Sequence, residues 1–114
     1  MANTFKIKTN DAMPTSAGTP LTLYTVPGST TTIVLGLMLC NIDTSQRLVD
    51  VHIESDTSDT ETNSNVHAIK DAPIPAGSTL EVMAGNKVVL QATDVLKIDC
   101  DVAGKIDATL SIME

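Results

Sequence analysis

Ile33-Val34-Leu35-Gly36-Leu37-Met38-Leu39-Cys40 is the longest aliphatic run in the chain. Eight residues are far fewer than the ~18–20 needed to span a bilayer as a helix. Read as a strand, Ile33, Leu35, Leu37 and Leu39 make one face and Val34, Gly36, Met38 and Cys40 the other. Apolar character on both faces predicts a strand that is central or covered on both sides. Leu35, Leu37 and Leu39 are therefore all expected in the core.

Working outward, the neighbouring segments alternate more plainly. Val49, Val51 and Ile53 share one side while Asp50, His52 and Glu54 share the other, which marks a half-buried strand. Phe5 and Ile7 alternate with Lys6 and Lys8, and Leu21, Leu23 and Thr25 with Thr22 and Tyr24. A weaker strand is expected near Val66 to Ile69. After a turn at Pro73 to Gly77, shorter strands follow at Leu80 to Val82 and Val88 to Leu90. Leu96, Ile98 and Cys100 alternate with Lys97, Asp99 and Asp101, and Ile106 to Ile112 closes the series. Val26-Pro27-Gly28 and Ile74-Pro75-Ala76-Gly77 are Pro-Gly turns, each launching a strand. The expectation is an all-β fold, an antiparallel β-sandwich or jelly roll of about seven to nine short strands.

Composition agrees. Val, Ile and Thr supply 35 of the 114 residues, whereas there is no Trp, one Phe and one Tyr, so the core is aliphatic rather than aromatic. Two cysteines, Cys40 and Cys100, are too few for a disulfide scaffold or a structural zinc site. They read as small hydrophobes with free thiols, a bond between them requiring Cα atoms within about 7 Å. Fourteen acids against seven bases give a net charge of −7, which argues against a phosphate-backbone binder. No apolar h-region follows the first lysines, so synthesis in the cytoplasm of the producing cell is expected, with no nucleic-acid or membrane partner.

Catalytic signals are missing from the sequence. There is no Gly-x-Ser-x-Gly and no phosphate-cradling glycine pattern, and two histidines offer no triad. Phe5 and Tyr24 are a thin supply for a sugar-stacking platform. The best metal candidate is the face Asp50, His52, Glu54. Positions i and i+2 on a strand lie about 6.6 Å apart, wide for one shared ion, although His67 on a neighbouring strand could complete a set. A solvated strand face carries the same residues without any metal. The acidic run Ser55 to Thr62 lacks the glycine and terminal glutamate of a calcium loop. The chain is read as a non-enzyme with no cofactor and no metal.

Three motifs, in order, carry a resemblance. Leu21-Thr22-Leu23-Tyr24-Thr25-Val26-Pro27-Gly28-Ser29-Thr30 leads into the long apolar strand and the turn Cys40-Asn41-Ile42-Asp43. Pro73-Ile74-Pro75-Ala76-Gly77-Ser78-Thr79-Leu80 follows. Then comes Gly85-Asn86-Lys87-Val88-Val89-Leu90-Gln91-Ala92-Thr93-Asp94-Val95-Leu96. Over residues 19–113 the chain resembles small virion structural proteins of tailed bacteriophages, including marine cyanophages. It departs at Thr93, where that group often has glycine.

The resemblance implies a non-enzymatic capsid decoration or cement protein located in the virion, bound to a major capsid protein or other virion proteins. A neck, tail or fibre-associated component, host-contacting or not, is the other reading. Residues 1–18 are expected as an extended N-terminal arm and residues 19–114 as the sandwich domain. From Ala12 to Ile42 there is no Asp, Glu, Lys or Arg, so this stretch can be desolvated at little cost. Contacts in a homo-oligomer or on a shell are expected to draw on Thr15, Thr19, Leu21, Leu23, Tyr24, Thr30 and Thr32. The acidic loop Ser55 to Asn65 is expected to face water.

Overall fold

A computed structural model describes residues 3–55, 63–83 and 86–114. Its strands are β1 (Phe5–Met13), β2 (Leu21–Thr25), β3 (Thr32–Asn41), β4 (Arg47–Glu54), β5 (Val66–Ile74), β6 (Thr79–Glu81), β7 (Val88–Leu90), β8 (Val95–Cys100) and β9 (Ile106–Met113). They form two antiparallel sheets, one ordered β1-β9-β3-β6 with β7 also on β3, the other β2-β8-β4-β5. The expected all-β sandwich is what the chain forms.

The pairing is nested. β4 pairs with β5, β3 with β6 and β7, β2 with β8, and β1 with β9. This long folded-back ribbon is then rolled so that β9 meets β3 and β8 meets β4. That winding is the jelly-roll form of the sandwich. Between the sheets lies one aliphatic core. Val34, Leu37, Leu39, Val49, Val51, Leu96, Ile98, Ile106 and Leu110 have no exposed surface at all.

One buried polar group fixes a corner. Asn41, at the end of β3, donates from its side-chain amide to the carbonyls of Ser45 and Ile74, both at 2.9 Å. Its carboxamide oxygen accepts the Asp43 N–H at 2.9 Å. Every hydrogen-bonding group of the buried amide is thus used, which is what burial of such a group requires.

Two expectations need correction. Leu35 is only half-buried and lies on the outer side of β3 with Gly36 and Met38. The cause is a β-bulge: Val34 pairs with Ile112 and Gly36 with Ser111, so Leu35 has no partner of its own. One extra residue reverses the in–out parity. Thr32 and Val34 therefore point inward before the bulge, and Leu37 and Leu39 after it.

The N-terminal segment also differs from a free arm. Residues 5–13 form a sheet edge paired along β9, and Met13 is fully buried in the core. Lys6 and Lys8 pair with the inward-facing Ile112 and Leu110 and so point to the core side of the sheet. There both lysines line an open cleft against β2 and stay exposed. Inward-pointing charge on an edge strand discourages edge-to-edge pairing with other chains.

Replacing Leu37 by Ala is expected to destabilise the fold by about 2–5 kcal/mol through lost transfer energy and a residual cavity. Leu35→Ala, outside the core, should cost about 1 kcal/mol. Urea unfolding of the two variants checks the bulge: equal losses would mean that Leu35 also faces inward.

Candidate functional site

The two sheets present different outer surfaces. On the five-stranded sheet, directly paired residues share a face, so the register can be read across it. Phe5 pairs with Met113, Met113 with Ile33, and Ile33 with Val89. These four side chains form an apolar row crossing β1, β9, β3 and β7. Phe5 is 71% exposed and Val89 61%. Beside the row lie Ile7 (68% exposed), Ser111, Leu35 and Gly36, then Thr9, Thr109 and Met38. Glu81, opposite Met38, and Asp107, farther along β9, put carboxylates on this face, but a row of large exposed hydrophobic residues on adjacent strands is the usual mark of a protein contact.

The four-stranded sheet is charged outside. Asp50, His52 and Glu54 on β4 face Asp99, Lys97 and Val95 on β8, and His52 is directly opposite His67 on β5. The Lys97 ammonium reaches Glu54 at 3.0 Å. The His52 and His67 rings are 4.2 Å apart between centroids, tilted at 48°. With Asp50 they bring three possible ligand atoms within 4.8 Å of one another.

β5 is irregular where it supplies His67. Val49 pairs with Ala72 and Val51 with Ile69, so Lys70 and Asp71 together face Asp50. Asp71 takes a left-handed conformation (φ 51°), and its N–H donates to Asp50 Oδ1 at 2.5 Å. A second bulge then omits Ala68 and puts His67 opposite His52. In a regular ladder Ala68 would stand there. Desolvation first, and the adjacent His67 second, hold the His52 imidazole below its ordinary pKa, against the opposing pull of Asp50, Asp99 and Glu54.

Of the residues expected to make a contact, Leu23 and Thr32 are enclosed within the protomer, so neither can touch a partner in the folded chain. Leu21 and Tyr24 pair with the inward-facing Ile98 and Leu96 and are half-buried for that reason. Thr30 is half-buried, and Thr15 and Thr19 are exposed. Gly18 bonds to Cys100 and Val26 to Asp94, at opposite ends of β8. Thr15 and Thr19 therefore lie at one end of β2 and Thr30 at the other, not in one patch. Cys40 is half-buried and Cys100 buried, both as free thiols. Asp56, Asp59 and Glu61 lie outside the described residues.

Tyr24 has a different task. Its hydroxyl is 2.8 Å from the Thr32 hydroxyl and donates to Glu114 at 2.5 Å, and Glu114 also pairs with Lys6 at 2.8 Å. This clasp joins β1, β2 and β3. Burial, then the bond to Glu114, pushes the phenol pKa up to about 12 from 10.0. Lys6 and Tyr24 hold the Glu114 carboxyl below the ordinary value of 4.5.

The clasp predicts stability losses at both pH extremes. Tyr24 binds its proton more tightly when folded, so its contribution is complete below pH 10 and is lost as pH rises from 10 towards about 12. Glu114 is the reverse: its contribution is present above pH 4.5 and is lost as pH falls through the lowered folded value. Thermal melts of Tyr24→Phe should lack the alkaline loss. An unchanged alkaline limb in that variant would mean that Tyr24 is not its source.

No protein family, curated protein or solved structure was found to match this chain.

Proposed function

We propose that the chain is a non-enzymatic structural subunit of a tailed-phage virion, a decoration or cement protein seated on the capsid shell through the outer face of its five-stranded sheet. The observation carrying this reading is the row Phe5, Met113, Ile33 and Val89. Continuous apolar surface on an otherwise acidic chain calls for a partner, and the uncharged residues beside it can be desolvated cheaply. The charged sheet then faces solvent, where its repulsion between neighbouring copies is screened. The motif order from Leu21 to Leu96 supports the same class. Jelly rolls recur in viral capsid proteins, and also in lectins and cupins, so the fold is an analogy only and the argument rests on the surface.

A neck, tail or fibre position is separated from a shell position by copy number. Quantitative protein stoichiometry of purified virions should give hundreds of copies per particle. Tens of copies would favour the neck or tail reading, and absence from particles would overturn both. Val89→Lys and Phe5→Ser should keep the thermal midpoint while weakening particle binding at least about tenfold, as for a central apolar contact. Full occupancy by both variants would exclude this face as the seat.

A further inference from the structure

We propose that Asp50, His52 and His67 form a binding site for a divalent transition-metal ion of the zinc type on the outer face of the four-stranded sheet. Spacing along β4 alone argues against a shared ion, because its side chains are too far apart. The second histidine changes this, since it comes from the neighbouring strand directly opposite the first.

Four observations converge. The three side chains place possible ligand atoms within 4.8 Å of one another. Zinc bonds of about 2.0–2.2 Å to nitrogen and oxygen require ligand atoms about 3.4 Å apart in a tetrahedron, and His67, being exposed, is free to rotate the remaining distance. Among the described residues the buried His52 Nε2 has no hydrogen-bond partner, which is costly for an imidazole nitrogen unless something occupies it. Asp50 stands directly opposite Asp99, a like-charged pair that destabilises a sheet and that a cation beside Asp50 would neutralise. Finally, the β5 bulges serve this cluster: one replaces Ala68 by His67 opposite His52, the other turns the Asp71 N–H onto one oxygen of Asp50. That hydrogen bond orients the carboxylate and leaves its second oxygen available, as partners of metal-ligating carboxylates do. Bulges re-aim side chains at sheet edges in this manner.

Two imidazoles and one carboxylate suit zinc, nickel, cobalt or copper ahead of magnesium or calcium, which prefer oxygen alone. Three protein ligands leave a coordination position open to water or to a neighbouring molecule. The aliphatic core is complete without the ion, so metal adds to stability without being needed to fold.

The test uses the full chain stripped with chelator and titrated with Zn2+ by calorimetry and thermal melting. One ion per chain is expected, with the midpoint raised by about 10–15 °C at a hundredfold excess over Kd and no comparable shift with Mg2+. His67→Ala, an exposed substitution that leaves the core intact, should weaken Zn2+ binding by at least about tenfold, as should Asp50→Asn. Cys40→Ser should leave it unchanged. No bound Zn2+ in the native chain, or undiminished binding by His67→Ala, would overturn the site.

Discussion

The antiparallel ladder between β3 and β9 is the interaction on which the other strands depend. It runs from Ile33 opposite Met113 to Asn41 opposite Ile106, and both strands have a neighbour on each side. β1 can pair only because β9 is held, and β6 and β7 divide the far edge of β3 between them. A strand has two faces and a period of two, so one slip in this ladder would turn Leu37, Leu39, Leu110 and Ile112 out of the core. The protein tolerates a slip at one place, Leu35, where the bulge changes the parity once and the buried row resumes with Leu37.

The same device recurs wherever the surface becomes chemically specific. The bulge in β3 leaves Leu35 outside, next to the apolar row. The bulges in β5 put His67 rather than Ala68 beside His52. Regular pairing sets the core, and departures from it decide which side chains meet on the outside. The molecule thereby acquires one face with an apolar row, bordered by Glu81 and Asp107, and another carrying Asp50, His52, Glu54, Lys97 and Asp99, separated by a single core layer.

Much of the strand plan was legible from alternation, since one buried face imposes a period of two. The strands around Val49 to Glu54, Leu96 to Cys100 and Ile106 to Ile112 needed no other information. The bulges were not legible, because they depend on which strand lies alongside, and pairing between Ile33 and Met113 leaves no local trace. Leu35 was misplaced for that reason. Phe5 and Ile7 alternate with lysines as a core-facing pair would, yet they end outside because their partners on β9, Met113 and Ser111, face outward. Two of the contact residues expected in the charge-free stretch are misplaced for a related cause: absence of charge at Leu23 and Thr32 reflects burial inside the protomer rather than readiness for a partner. His67 reads from the sequence as a possible companion to Asp50 and His52, but its position opposite His52 rests on an omitted residue that alternation does not reveal.

Nesting the strands also imposes an order in time. The innermost pair, β4 with β5, closes a short loop, whereas Lys6 and Glu114 are 108 residues apart. Loop-closure entropy and dependence on distant partners place this chain among the slower-folding topologies. During synthesis, β1 emerges first and its partner β9 last, so Phe5 and Ile7 wait in solvent while the rest of the ribbon is made. Lys6 and Lys8, interleaved with them, guard the waiting strand against premature pairing with other nascent chains. A pair of residues that contributes little to the finished core is thus placed where it can protect the route to it.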